Sequence, residues 1–231
     1  LTLSAFYFLR TNQALKAGIC GGIVSATRVI GIFLAPAFLI EVWNQQKDKL
    51  LKMKNNNERV KFIIKNFYIL IIVCFGLFSY MSYLYVHFQD PLLFTHVQSG
   101  FGAGRETGQI VFFYQIIWRY FKMFATVSPK NPIYFTLWLE FISSFSFLAL
   151  LVWGYFKKIR PSYVVYGILC LALPTLTGVL SSMPRYVLVI FPGFIALAMI
   201  ENKYFKYLIL SINLILLFIC TAMFTRGYWV S

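Results

Sequence analysis

Apolar runs about twenty residues long recur through this chain and limit its fold more than any other feature. A hydrocarbon layer of about 30 Å is crossed by about 20 helical residues at 1.5 Å each. Runs of that kind lie near 67–86, 133–156, 163–183, 187–200 and 207–224. Pro174 interrupts the third, and the fourth is short unless it borrows residues from the turn before it. With 60% apolar and only 12% charged residues and a mean hydropathy of +0.73, these stretches lack the polar face that a soluble core helix needs. The expected fold is therefore all-α, a multispan helical membrane domain over 1–231.

Charge gives the runs a sidedness. Lys and Arg outnumber Asp and Glu 21 to 7, an excess that in a membrane chain collects in cytoplasmic loops and does not indicate nucleic acid. Basic clusters stand at Lys47–Lys61, at Lys157, Lys158 and Arg160, and at Lys203 and Lys206. Counting spans puts all three on one side. The stretch 87–132, the Met183-Pro184-Arg185 turn and the C-terminal residues then share the other face. The apolar opening, 1–9, has no initiator Met and no basic segment before it, so it reads as the tail of a helix begun upstream in a longer protein.

The run 17–42 fits a single crossing poorly, because Arg10 and Lys16 precede it and the largest basic cluster follows it. Arg28 at its middle, then Gly31 and Pro36, suits a broken hairpin with both ends on the cytoplasmic side. A single lipid-facing span would instead hold Arg28 near mid-bilayer at a cost of about 2.5–3.5 kcal/mol. Within 87–132, Gln115, Arg119, Lys122 and Thr126 recur every three or four positions among aromatic and apolar residues. That spacing predicts an amphipathic helix in the membrane interface, with Tyr114, Trp118 and Tyr120 at headgroup depth.

Groups able to carry chemistry are few. Glu41, Asp48, Glu58 and Glu201 lie beside basic residues at the cytoplasmic edge and read as solvated loop charges. Glu140 lies inside a span, where a carboxylate is a functional candidate by default, although two turns from the interface it can also snorkel. Asp90-Pro91 suits a turn or helix cap as well as a weak catalytic role. His87 and His96 lack a third metal ligand at recognisable spacing, and the dispersed Cys20, Cys74, Cys170 and Cys220 suggest neither a disulfide framework nor zinc. Arg185, between Pro184 and Tyr186, reads either as a phosphate clamp or as an interfacial anchor.

Three strings, taken in order, carry a resemblance: Ser25-Ala26-Thr27-Arg28 with Gly31 and Pro36; Asp90-Pro91-Leu92-Leu93-Phe94 with Gln98 and Arg105; and Ser182-Met183-Pro184-Arg185-Tyr186 with Phe191-Pro192. The set resembles that of prokaryotic relatives of the PIG-V-like mannosyltransferases over nearly the whole chain. The match is looser in the middle, where Gly102-Ala103-Gly104-Arg105 replaces the family's Trp-Gly-Arg. The resemblance implies a C-type glycosyltransferase of a prokaryotic cell membrane that moves a sugar, mannose above others, from a polyprenyl-phosphate donor to a glycan, lipid or protein acceptor at the outer face. It implies donor-phosphate contacts from Arg185, Arg105 and Arg28, support from Gln98, Glu106 and Tyr186, and a principal acidic residue upstream of this chain. No cofactor is called for with certainty, and the use of a divalent metal stays open. A transporter or channel subunit with a broken-helix substrate site is the alternative, and a non-enzymatic scaffold is a third class.

Overall fold

A computed structural model describes residues 1–52, 56–97, 100, 111–176 and 178–230; for 48–52, 56 and 58–67 only the backbone is described. The described residues are helical and contain no strand. Among the described residues, four stretches are long and apolar enough to cross a membrane: Val29–Lys47, Tyr68–Phe88, Pro132–Phe156 and Lys203–Thr225. The chain divides into two compact units, 1–100 with 160–169, and 101–159 with 170–231.

The first unit contains α1 (Thr2–Arg10), α2 (Ala14–Thr27), a 3-10 turn (Val29–Phe33), α3 (Leu34–Lys52), α4 (Asn56–Phe88) and α5 (Leu93–His96). The helical run 17–42 is broken at Arg28, whose extended backbone ends α2. The 3-10 turn then folds back so closely that a Cβ on Gly31 would lie 2.5 Å from the Ser25 amide nitrogen. Gln13–Lys16 at the start of α2 and Val42, Gln45 and Gln46 on α3 line one cavity of about 470 Å³ with Tyr68 of α4. The two arms therefore return to the same level. Each arm is about 20 Å long. The stretch Val29–Lys47 is thus long enough to cross, yet it doubles back along α2.

Helix α4 runs parallel to α2, and bare backbone brings them together. Gly18 faces Ile69 and Ile72, and Gly22 faces the Ile72 carbonyl. A Cβ on Gly76 would stand 1.9 Å from the Gly22 carbonyl oxygen. Ser25 adds a polar tie: its hydroxyl lies 2.5 Å from the Val73 carbonyl and 2.9 Å from that of Gly22. These contacts set Arg28 opposite the middle of Tyr68–Phe88. Phe6 closes the unit, with its ring edge-on to Phe38, Tyr163 and Tyr166.

The second unit contains α6 (Phe113–Thr126) and α7 (Pro132–Phe156), then the end of α8 (Pro161–Thr175) from Cys170 onward, α9 (Met183–Val187), α10 (Phe191–Ala198) and α11 (Lys203–Thr225). Asn131 caps α7, its side chain accepting the Ile133 N–H at 3.0 Å, with Pro132 at the first helical position.

Helix α6 packs against another helix. It runs antiparallel along α7 on a ladder of rings: Phe113 meets Phe145 (5.9 Å), Tyr120 meets Phe141 (6.1 Å) and Phe124 meets Trp138 (4.3 Å). Trp118 and Tyr114 are exposed, whereas Tyr120, expected at headgroup depth, is buried. The stripe Tyr134, Trp138, Phe141 and Phe145 offers α6 an aromatic partner, and mutual ring burial holds it there.

Two expected spans are also corrected. The run 163–183 is helical only to Thr175, and at 15 residues α8 is about 22 Å long, short of a crossing. The run 187–200 holds only the last residue of α9 and the eight-residue α10, because Pro184 and Pro192 each start a new helix and the residues between them turn. From Ser182 to Ala198 the chain descends parallel to α7, with Gly193 against Phe147 and Ala196 against Gly154. Lys206 donates to the Ala198 carbonyl at 2.9 Å, so the Lys203–Lys206 cluster lies towards the same end of α7 as Lys157 and Lys158.

Candidate functional site

The Ser181–Tyr186 string is built into the second unit at the level of Glu140. Eight residues separate Glu140 from Pro132, so the turn lies about 12 Å along α7 and not at its end. Glu140 is 5% exposed. One carboxylate oxygen accepts the Ser182 N–H at 3.0 Å and the other accepts the Tyr120 hydroxyl at 2.8 Å. The Tyr120 oxygen in turn accepts the Leu180 N–H at 3.1 Å. From α6, Arg119 Nη1 lies 3.4 Å from the Gly178 carbonyl. Side chains of α6 and α7 thus grip the backbone of 178–182 at three places, satisfying polar groups that would otherwise be stranded among apolar helices.

This grip holds an uncommon backbone. Ser182 is left-handed, with φ +67°, a conformation usually left to glycine. It starts α9, where Arg185 Nη2 donates to the Ser182 hydroxyl oxygen at 2.7 Å. Arg185 is exposed and Tyr186 half-buried. The guanidinium of this exposed residue is therefore tethered at one nitrogen. A fork of donors held in that way suits an oxyanion, and phosphate above others.

Arg28 is exposed at the hairpin apex in the first unit. Asp90, also in the first unit, accepts the Leu92 N–H at 3.0 Å and pairs with His96 Nδ1 at 2.7 Å. The hydrogen bond from His96 is the main cause holding the Asp90 carboxyl below the usual carboxylate range. His87 packs on the Tyr83 ring, 4.4 Å between centroids. Gln98, Arg105 and Glu106 lie outside the described residues. Among the described residues no three His, Cys, Asp or Glu side chains gather as metal ligands would.

Sequence reasoning missed two partners. Tyr120 gave no signal of its own, since an aromatic residue in an amphipathic helix fits an interface equally well. Glu41, read as a solvated loop charge, is 1% exposed: it pairs with Arg160 and accepts the Ser162 hydroxyl at 2.5 Å and the Gln45 amide at 2.9 Å. A carboxylate so deep is retained because each oxygen has a donor. No protein-family model, curated protein or solved structure matches this chain.

Proposed function

We propose that this chain belongs to a membrane glycosyltransferase that moves a sugar, mannose above others, from a polyprenyl-phosphate donor to an acceptor at the outer face. One observation carries the reading: Arg185, exposed and tethered to Ser182 on a turn about 12 Å along α7, has no second side-chain partner among the described residues. A phosphate carried on a membrane lipid stays beside such a helix, where an exposed guanidinium can meet it with paired donors. When the sugar leaves, negative charge grows on the lipid phosphate, and a pre-positioned guanidinium stabilises that charge as it develops. The motif resemblance adds the donor class and the preference for mannose. Arg105 and Arg28 are proposed as further phosphate contacts, with Gln98, Glu106 and Tyr186 in support.

The test is transfer from radiolabelled polyprenyl-phosphate sugars in membranes holding the full-length protein, with Arg185→Lys and Arg185→Ala at matched expression. Both should lower turnover by about 10- to 1000-fold, because Lys keeps the charge but loses the planar fork. Near-normal turnover in the Lys variant defeats the clamp and leaves Arg185 an interfacial anchor. A second reading, a transporter, is favoured by the break of α2–α3 at Arg28 opposite the middle of Tyr68–Phe88, since discontinuous helices also build transport sites. Donor-independent movement of solute without transfer would select it.

A further inference from the structure

We infer that Glu140 and Tyr120 act as a positioning pair for Arg185, fixing the 180–182 backbone from which the guanidinium reaches the donor phosphate. The inference rests on the glycosyltransferase reading for its activity readout, but the pair itself can be measured without it.

The geometry makes the two side chains a relay. Tyr120 donates to Glu140 and accepts from Leu180, while Glu140 accepts from Ser182 two residues further on. The backbone amides on either side of Ser181 are therefore tied to one two-residue unit, drawn from α6 and α7. Ser182 is the pivot. Its amide is held by Glu140, its backbone is left-handed, and its hydroxyl holds Arg185. If either member of the pair is removed, the turn can relax toward the common right-handed region. The Ser182 hydroxyl would move with it and the guanidinium would lose its tether.

Glu140 and Tyr120 are both buried, while Arg185 is exposed. The pair therefore acts through the turn and not by touching the donor. A displacement of about 1 Å in a charged contact is enough to cost two orders of magnitude in rate.

Two conservative variants test this in the full-length protein reconstituted in nanodiscs. Tyr120→Phe removes the hydroxyl that serves both Glu140 and Leu180. Glu140→Gln keeps the shape but offers one acceptor oxygen where two are used. Hydrogen exchange of the peptide covering 178–186 should speed up at least about 10-fold in both variants, while peptides from α11 are unchanged. Turnover with a radiolabelled polyprenyl-phosphate sugar should fall about 10- to 100-fold, with the acceptor KM unchanged. In an Arg185→Ala background the same two changes should add little, since there is no guanidinium left to place.

Exchange that is unmoved overturns the pair. So does faster exchange with full turnover, because the turn would then be free to move without consequence. Tyr120→Phe and Glu140→Gln effects that add in full to Arg185→Ala also overturn it, by assigning the pair a role apart from Arg185. If the unaltered protein transfers no sugar from any such donor, the glycosyltransferase reading fails, and exchange alone then decides the pair.

Discussion

The apex of the α2–α3 hairpin and the Ser182 turn are both breaks between helices that lie beside the body of a longer helix, yet they are held by opposite means. At the hairpin, the contacts are backbone against backbone: Gly22 and Gly76 let α2 and α4 approach until no Cβ fits, and one serine hydroxyl supplies the polar tie. At the turn, bulky rings surround a buried carboxylate whose two oxygens hold the chain. Close packing without side chains tolerates almost no added volume, because the colliding atoms belong to two backbones. A hydrogen-bonded grip tolerates a change of shape better than the loss of a single polar atom. The hairpin should therefore fail through size, and the turn through chemistry.

The largest effect should come from Gly76→Val. Its side chain would begin inside the contact with the Gly22 carbonyl, costing about 3 kcal/mol or more, and the folded fraction recovered in detergent should collapse. A monodisperse, normally melting protein would dissolve the contrast at once. All-or-none behaviour is also expected from thiols placed at Lys16 and Trp43, which flank the two arms. Both should react with impermeant reagent from the same side, and opposite-side labelling would turn the hairpin into a crossing.

A smaller loss sharpens the polar half of the comparison. Arg160→Ala leaves Glu41 buried with Ser162 and Gln45 as its donors, and should lower unfolding stability by about 1–2 kcal/mol, discounted because Arg160 is partly exposed. An unchanged melting profile would show that those two donors suffice. Ser25→Ala should cost about 1 kcal/mol, less than any enlargement of the neighbouring glycines.

The smallest effect concerns Asp90. Its carboxyl titrates below the ordinary value of 3.8, so the ionised form is favoured by folding. The loop contribution is complete above that value and is lost as pH falls through the lowered one. Amide exchange at Leu92 should hold its protection from pH 7 to pH 5 and lose it only below about pH 4. Loss of protection already near pH 6 would put the control on another group.

Much of this arrangement was legible in the residues, and what was not has a common cause. Long apolar runs announce helices long enough to cross a membrane, and Arg28 followed by Gly31 announces the break, because burial and backbone freedom act on each segment alone. The pairing of α6 with α7 does not follow from either, since an aromatic-rich amphipathic helix gains as much by facing α7 as by facing headgroups. Glu41 and Glu140 illustrate the same limit. One reads as solvated and the other as a candidate, yet both are buried acceptors with donors far away in sequence, at Arg160 and Ser162 and at Tyr120 and Ser182, besides the nearby Gln45 on Glu41. The breaks at Pro184 and Pro192 were written in the sequence, but the apolar residues around them hid how short the resulting helices are.

The parallel contact of α2 with α4 also sets a timetable for synthesis. The hydroxyl of Ser25 is answered by Val73, 48 positions later, and the glycines beside it are answered by Ile72 and Gly76. A ribosome adding 5 to 20 residues per second needs about 2 to 10 s to make that partner. For that interval the nascent hairpin exists with its small-residue face uncovered and its apex arginine already made. Whatever shelters that face during those seconds, lipid or insertion machinery, governs how much of the chain reaches its final packing.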